Sequence, residues 1–480
     1  MNGLNLARRE TLASGQEALV SQWDTDIWRR WTVRLIVLFL ILLPFEGIAR
    51  KWLFNTIEQP FILIRDPVAL AIIVTYARWH FPEFPRWLIL WLTAVAVLLL
   101  LGASQVIVGG ASLPALLYGL RIHLLFIPVS FAMAEVFLPE DWRRLILLCC
   151  WICLPLALLV IWQYYSPVDA WINRGVNDDP DAYVFQVVAG VVRPYGPFPF
   201  VTPQSAFTLM LVGLLLAAWD RRNVWNIPLP TLLIGAASLG VTVILSGSRA
   251  VLLGVLLVGV TYGMGGLLFA GPMRMARRIL ALLVVAVMLM LAVLTLFPEV
   301  YDAMLVRQAE AFASEGSIAD RLFQIISPMH NGEVPLSILG EGLGAGSNAG
   351  GYLASGSRGF LLSEYELRRV LQEGGIVVGG LLLAFRLAIL LWALSKATRA
   401  AHYNGSAGSF ALIGVLGSLF FLFQLSGQNQ IAAIGWLSCG LLLCCLKLSQ
   451  AGGPADKPDH LPDYRARMAL RAVSARRMER

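Results

Sequence analysis

The chain is poor in charge. Only 14% of its 480 residues are Asp, Glu, Lys or Arg, while 58% are hydrophobic; soluble domains carry about 25% charged and about 45–50% apolar residues. That balance excludes a soluble globular protein, and no appended soluble domain is visible between the apolar stretches. Cysteine is scarce as well. The six cysteines all lie in apolar runs, Cys149, Cys150 and Cys153 in one and Cys439, Cys444 and Cys445 in another. Cys150-Trp-Ile-Cys153 has the spacing of a redox pair, but a thiol pair in lipid lacks the electropositive, partly exposed setting that reactive thiols need. These cysteines read as small core or lipid-facing residues, with no disulfide framework and no zinc site. The five histidines, His80, His123, His330, His402 and His460, are scattered and form no metal-ligand cluster. Gly340–Gly346 lacks the Gly-Lys-Ser/Thr and the preceding strand of a nucleotide loop. The net charge of +7 does not point to nucleic acid, because the basic residues form short clusters between apolar runs rather than an aromatic-studded module.

What the chain has in abundance is long apolar runs. A helix needs about 20 apolar residues to cross the hydrocarbon core, and twelve segments qualify: 31–48, 61–77, 87–107, 112–134, 143–164, 203–219, 227–246, 249–270, 279–298, 370–394, 408–425 and 430–447. The expected fold is therefore an all-α polytopic membrane protein of about 12 transmembrane helices. Its cytoplasmic N-terminal tail would span 1–30, its membrane domain 31–448 and a basic cytoplasmic tail 449–480. The N-terminal tail is too polar for a cleavable signal peptide, so the first apolar run reads as an uncleaved anchor. With both termini inside, Arg29, Arg30, Arg143, Arg144, Arg221, Arg222, Arg274, Arg277, Arg278 and the basic tail all fall in the cytoplasm, as the positive-inside rule requires. Two long connections, 165–202 and 299–369, then face outward. The first is rich in Pro and Gly and reads as an ordered, turn-rich crossing. The second mixes a helical pattern over Val300–Ala313 with the glycine-rich run, and a connection that long is usually functional.

Several residues have chemistry to offer. Ser246-Gly-Ser-Arg249 stands where one apolar run ends and the next begins. Its arginine is either a snorkelling anchor or an anion clamp, since a guanidinium fork suits phosphate bidentately. Arg193, just before the sixth run, is the second such candidate; two arginines at one surface would share the charge of a diphosphate. Glu366 and Glu373, with Arg369 and Gln372 between them, form either a charged helix entrance or a source of a general base. Charges inside a span are costly and raise a functional hypothesis. Arg121 and His123 lie within the fourth run and Arg386 within the tenth, and Arg121 is either a substrate contact or an internal strut. Arg65 and Asp66 read as a local ion pair. His330 is the one histidine placed to meet an external substrate.

Taken together, these features resemble the O-antigen ligase and O-antigen polymerase superfamily of bacterial membrane glycosyltransferases. Arg193-Pro-Tyr-Gly-Pro-Phe followed by Thr202-Pro-Gln-Ser-Ala is similar to that family's outer segment, and Leu245-Ser-Gly-Ser-Arg-Ala-Val-Leu-Leu to its Ser-Arg signature. Arg321-Leu, then Pro335-Leu and Gly340-Glu-Gly-Leu-Gly344, resembles its large periplasmic loop between helices 9 and 10. The match spans roughly residues 190–390. Aligned on Glu373-Gly-Gly375, Glu364-Tyr365 stands where the family has His-Asn, so the family's histidine is absent and Glu364 is the candidate for its catalytic role. The resemblance implies a GT-C-like fold, an undecaprenyl-diphosphate-linked oligosaccharide as substrate, and inverting transfer without metal or other cofactor. Arg193 and Arg249 would bind the diphosphate, and Arg121, Arg321 and His330 are possible substrate contacts. The expected function is polysaccharide polymerisation at the outer face of the inner membrane, in the company of other polysaccharide-assembly membrane proteins. The alternatives are a ligase using a lipid-core acceptor or, in a different class, a transporter.

Overall fold

The computed structural model describes residues 26–54, 59–109, 111–176, 187–188, 191–296, 306, 336–356, 362–363 and 365–451. The apolar runs are helices, as they must be where no water is at hand to satisfy backbone groups. In chain order they are α1 (Asp26–Leu53), α2 (Asp66–His80), α3 (Arg86–Gly109), α4 (Leu113–Leu124), α5 (Ile127–Val136) and α6 (Pro139–Tyr165). They continue as α7 (Val201–Asp220), α8 (Leu229–Leu245), α9 (Arg249–Gly265), α10 (Pro272–Leu296), α11 (Asn348–Ser355), α12 (Glu366–Asn404), α13 (Gly408–Phe421) and α14 (Asn429–Ala451). Among the described residues, ten helical segments are long and apolar enough to cross a membrane. In one of these α4 and α5 run on as Leu113–Val136, and α8 and α13 are shorter apolar helices. A two-residue antiparallel pair, β1 (Val187–Val188) with β2 (Val191–Val192), lies in the first long connection.

Local sequence sets the ends. Pro67, Pro114, Pro128, Pro139 and Pro230 stand in the first turns of their helices, where the missing N–H has no intrahelical partner to lose. α12 stops at Gly405, whose φ of 67° is the left-handed cap that glycine adopts without a Cβ penalty.

The packing is uneven. In α14, 94% of the best membrane-crossing window is buried, against 6% in α10, so α14 is the axis of the bundle and α10 lies on its rim. Around α14 pack α5, α7, α12 and α13, while α6 pairs with α8 and α9 with α13. All six cysteines are buried and free, in keeping with small core residues.

Successive spans alternate in direction, with α4 and α5 making one span, so one end of the bundle gathers the C-termini of α1, α3, α6, α8, α10 and α13 with the N-termini of α2, α4, α7, α9, α12 and α14. Both long connections belong to that end. Of the expected tails and outer connections, residues 1–25, 177–186, 299–305, 307–335 and 452–480 lie outside the described residues, and with them Arg321, His330 and nearly all of the helical pattern expected over Val300–Ala313. Glu364 lies outside them too.

Candidate functional site

The loop-bearing end is organised around a break in α12. Gly375 has φ 67° and ψ −176°, a conformation essentially reserved for glycine. A Cβ at Gly375 would lie 2.1 Å from the Ile338 carbonyl oxygen, and one at Gly340 would lie 2.3 Å from the Gly375 nitrogen. The two glycine segments therefore interlock backbone to backbone. Glu341 N donates to Gln372 O (2.8 Å), Gly342 N to Glu373 O (3.2 Å) and Ile376 N to Ser337 O (3.1 Å), and the Gln105 amide adds a 3.0 Å bond to Glu373 O. Groups freed by the break are thus satisfied from the glycine-rich run, as buried backbone N–H and C=O groups must be. That run continues against α4, where a Cβ on Gly344 would meet Ala115 O at 2.2 Å and Gly119 N at 2.7 Å.

Under this cover sit the charges that the sequence left as either a charged helix entrance or a source of a general base. Glu366, Arg369 and Glu373 are all buried, because the glycine-rich run and the segment before α14 close over them. Glu366 accepts from Arg386 Nη1 (2.6 Å), from Ser426 N (3.0 Å) and from Ser426 Oγ (3.0 Å). Arg369 lies 3.8 Å from Glu366 and donates through Nε to Ser363 O (2.9 Å). Glu373 accepts from Gly346 N (2.9 Å) and faces His123 Nε2 at 3.0 Å. Arg386, mid-span in sequence, is accordingly a strut.

A second set of charges joins α1, α2 and α4. Asp66 does not pair with its neighbour Arg65, correcting the local pair expected from the sequence. Arg121 takes Asp66 through Nε and Nη2 (2.9 Å) and also donates to Ile62 O (3.0 Å), which is the strut alternative for Arg121. Adjacent residues at a helix start point in different directions, so the partner is chosen across helices. Arg65 instead faces Glu46 at 2.6 Å, close in distance but outside hydrogen-bond geometry. It is wholly buried, and none of its three guanidinium nitrogens has a hydrogen-bond partner among the described residues.

The two arginines proposed for phosphate belong to this same end. Arg193 is half-buried in the stretch between β2 and α7. The turn that follows it is held by Lys51, whose buried ammonium donates to Gly196 O (2.8 Å) and lies 4.0 Å from the centre of the Tyr195 ring. Gln163 brackets the same glycine, accepting from Gly196 N (2.8 Å) and donating to Gly196 O (3.1 Å). Arg249 is exposed and is the first residue of α9, where a helix N-terminus adds partial positive charge. Ser205 Oγ in the first turns of α7 donates to Ser248 Oγ (3.0 Å), which ties the Ser-Gly-Ser-Arg turn to the helix that the Arg193 stretch leads into. Close by in sequence, Gln204 and Thr208 are buried with side-chain polar atoms lacking partners among the described residues, as is Gln430 at the start of α14.

Sequence reasoning named Arg121, His123 and Arg386 as costly intramembrane charges and missed Glu46, Lys51, Gln105, Gln163 and Gln204. The signal was the same for all: a polar side chain at the end of an apolar run. Among the described residues no three His, Cys, Asp or Glu side chains gather to hold a metal. No family model matches the chain, and neither a curated protein nor a solved structure gives a significant match.

Proposed function

We propose that this chain is a polysaccharide polymerase, transferring a lipid-diphosphate-linked glycan onto a sugar hydroxyl of a second one. The observation that carries the reading is the Ser205–Ser248 contact. It joins the Arg193 and Arg249 segments at the end of the bundle where both long connections and the buried Arg65 guanidinium, 2.6 Å from Glu46, are found. Such a reaction needs a cationic wall for a diphosphate anchored in the membrane and a polar mouth for a glycan arriving from water.

In the proposed step the acceptor hydroxyl oxygen attacks the anomeric carbon of the lipid-linked sugar. The bond from that carbon to the phosphate oxygen breaks and its electron pair leaves with the diphosphate. The hydroxyl proton passes to a carboxylate, for which Glu364 is the candidate. Glu373 is a poor choice for that role because His123 and Gly346 N already occupy it. Charge grows on the leaving diphosphate as the bond breaks, and pre-positioned guanidinium groups act at that moment. A GT-C-like arrangement of twelve crossings, counting α8 and α13, belongs to the same proposal. So does an N-in, C-in orientation in the bacterial inner membrane, which turns the loop-bearing end outward.

Reconstitution of the purified chain with a lipid-diphosphate oligosaccharide tests the reading. A ladder of products is expected. A single transfer to a lipid-core acceptor would make the chain a ligase with the same leaving-group chemistry. Movement of glycan across the vesicle without any new bond would make it a transporter. A broken helix is a transporter feature, but residues 376–404 beyond Gly375, at about 1.5 Å per residue, span the hydrocarbon core by themselves. The break therefore sits at the rim rather than at mid-depth.

A further inference from the structure

The opposite end of the bundle holds a cleft of about 750 Å³ between the ends of α7 and α12 and the start of α10. Four arginines line it, Arg221, Arg222, Arg274 and Arg278, with Asp220 as the one carboxylate. Asp220 is already engaged: it pairs with Arg278 and accepts from Ser406 Oγ (3.1 Å), Ala407 N (2.9 Å) and Gly408 N (3.2 Å). Its hydrogen bonds go to Arg278 and to the start of α13 rather than to Arg222 or Arg274. Arg274 lies across two glycines of left-handed φ. A Cβ at Gly405 would stand 2.8 Å from Arg274 Nη2, and one at Gly271 3.4 Å from it. Two separate loops thus make a floor of bare backbone on which one guanidinium rests, and Arg274 is itself in the first turn of α10, whose N-terminus favours an anion.

The rest of the wall says where the anion comes from. Trp219, Phe269 and Tyr403 line the cleft beside the arginines; aromatic rings of this kind concentrate at headgroup level. The flanks are open and apolar: Leu268 is 65% and Met273 69% exposed. A ligand with a phosphate in the cleft and hydrocarbon along these side chains satisfies both surfaces. A basic pocket between transmembrane helices is a recognised form of lipid headgroup site.

We propose that this cleft binds the headgroup of an anionic phospholipid from the surrounding leaflet, its phosphodiester held by Arg222 and Arg274 and its acyl chains lying along Leu268 and Met273. The inference is independent of the transferase reading, since it concerns the other end of the molecule.

The test uses the full-length protein in neutral detergent, with the melting temperature followed during titration of dioleoyl phosphatidylglycerol, dioleoyl phosphatidylcholine or glycerol phosphate. Phosphatidylglycerol is expected to raise the melting temperature saturably, and the other two to leave it unchanged. Arg222→Ala and Arg274→Ala, both outside the hydrogen bonds of Asp220, should each raise the half-saturating concentration about tenfold, as loss of one charge-assisted bond implies. Arg277→Ala, at the same end but outside the cleft lining, should not. An equal response to phosphatidylcholine, or an equal loss in Arg277→Ala, would overturn the site. Stabilisation by glycerol phosphate alone would show a soluble ligand and overturn the lipid. The melting temperature of each variant without lipid shows whether it has folded, and an unchanged half-saturation in a folded Arg274→Ala would also refute the proposal.

Discussion

Asp220 and Arg65 are both ionisable side chains buried at the ends of membrane helices, and the protein treats them in opposite ways. Asp220 meets Arg278, Tyr262, Ser406 and two backbone N–H groups at the start of α13. Every lone pair has a donor, and the carboxylate caps a helix N-terminus where negative charge is favoured. Arg65 has a carboxylate 2.6 Å away and no hydrogen bond among the described residues. Buried polar groups in folded proteins are generally paired. The Asp220 carboxylate is thus closed on itself, while the loop-bearing end is open in the sense that Arg65 and the amides of Gln204 and Gln430 keep N–H groups without a hydrogen-bond partner among the described residues.

The largest effect expected from this contrast is on stability at Asp220. Asp220→Ala strands Arg278 and the N-terminus of α13, and removing one partner of a buried pair costs about 3–5 kcal/mol. A fall in melting temperature of the purified protein would register it. Arg65→Met keeps the volume and leaves Glu46 paired with Arg50 at 3.3 Å, so it should cost far less; an equal fall would erase the distinction between the two residues.

Next in size is the effect on transfer at the open end. Arg193→Ala and Arg249→Ala should each lower turnover by about one to two orders of magnitude at normal membrane abundance, since a hydrogen bond to a charged group contributes about 1.5–3 kcal/mol and about 1.4 kcal/mol is tenfold in rate. Arg→Lys keeps the charge but not the planar fork, so it should restore activity only in part. Glu364→Gln should keep donor binding while turnover falls. Full activity in Arg249→Ala would sink the diphosphate clamp; full activity in Glu364→Gln would remove only the base.

The smallest effect is none at all. With guanidinium groups offsetting the diphosphate charge, turnover in EDTA should equal turnover without it. Activity lost in chelator and restored by magnesium or manganese would show that the open end holds a cation rather than arginines alone.

Much of the fold was legible because bilayer and backbone leave so few options. Each of the twelve apolar runs contains a helix, and the observed ends differ from the expected ones by a few residues in most cases. The tenth differs most, expected over 370–394 and observed as Glu366–Asn404, since hydropathy does not register the polar turns at its start and finish. The site was less legible. Arg65 and Asp66 are adjacent in sequence yet find partners on α1 and α4, and Glu366 and Glu373, left as either a charged helix entrance or a source of a general base, are both buried. Whether a carboxylate is solvated or enclosed depends on what folds over it, here a glycine-rich run more than twenty residues upstream.

By itself, then, the sequence determined that this chain lives in a membrane as a helical bundle with polar material concentrated in two connections. Apolar length and backbone satisfaction are local properties, decided residue by residue along each run. Only the tertiary structure decided which charges are struts and which are left open, because ion-pair choice is made between helices distant in sequence. It also decided what the glycines are for: Gly340, Gly344 and Gly375 allow backbones to touch where any Cβ would collide, and no composition or motif records that a second backbone is there.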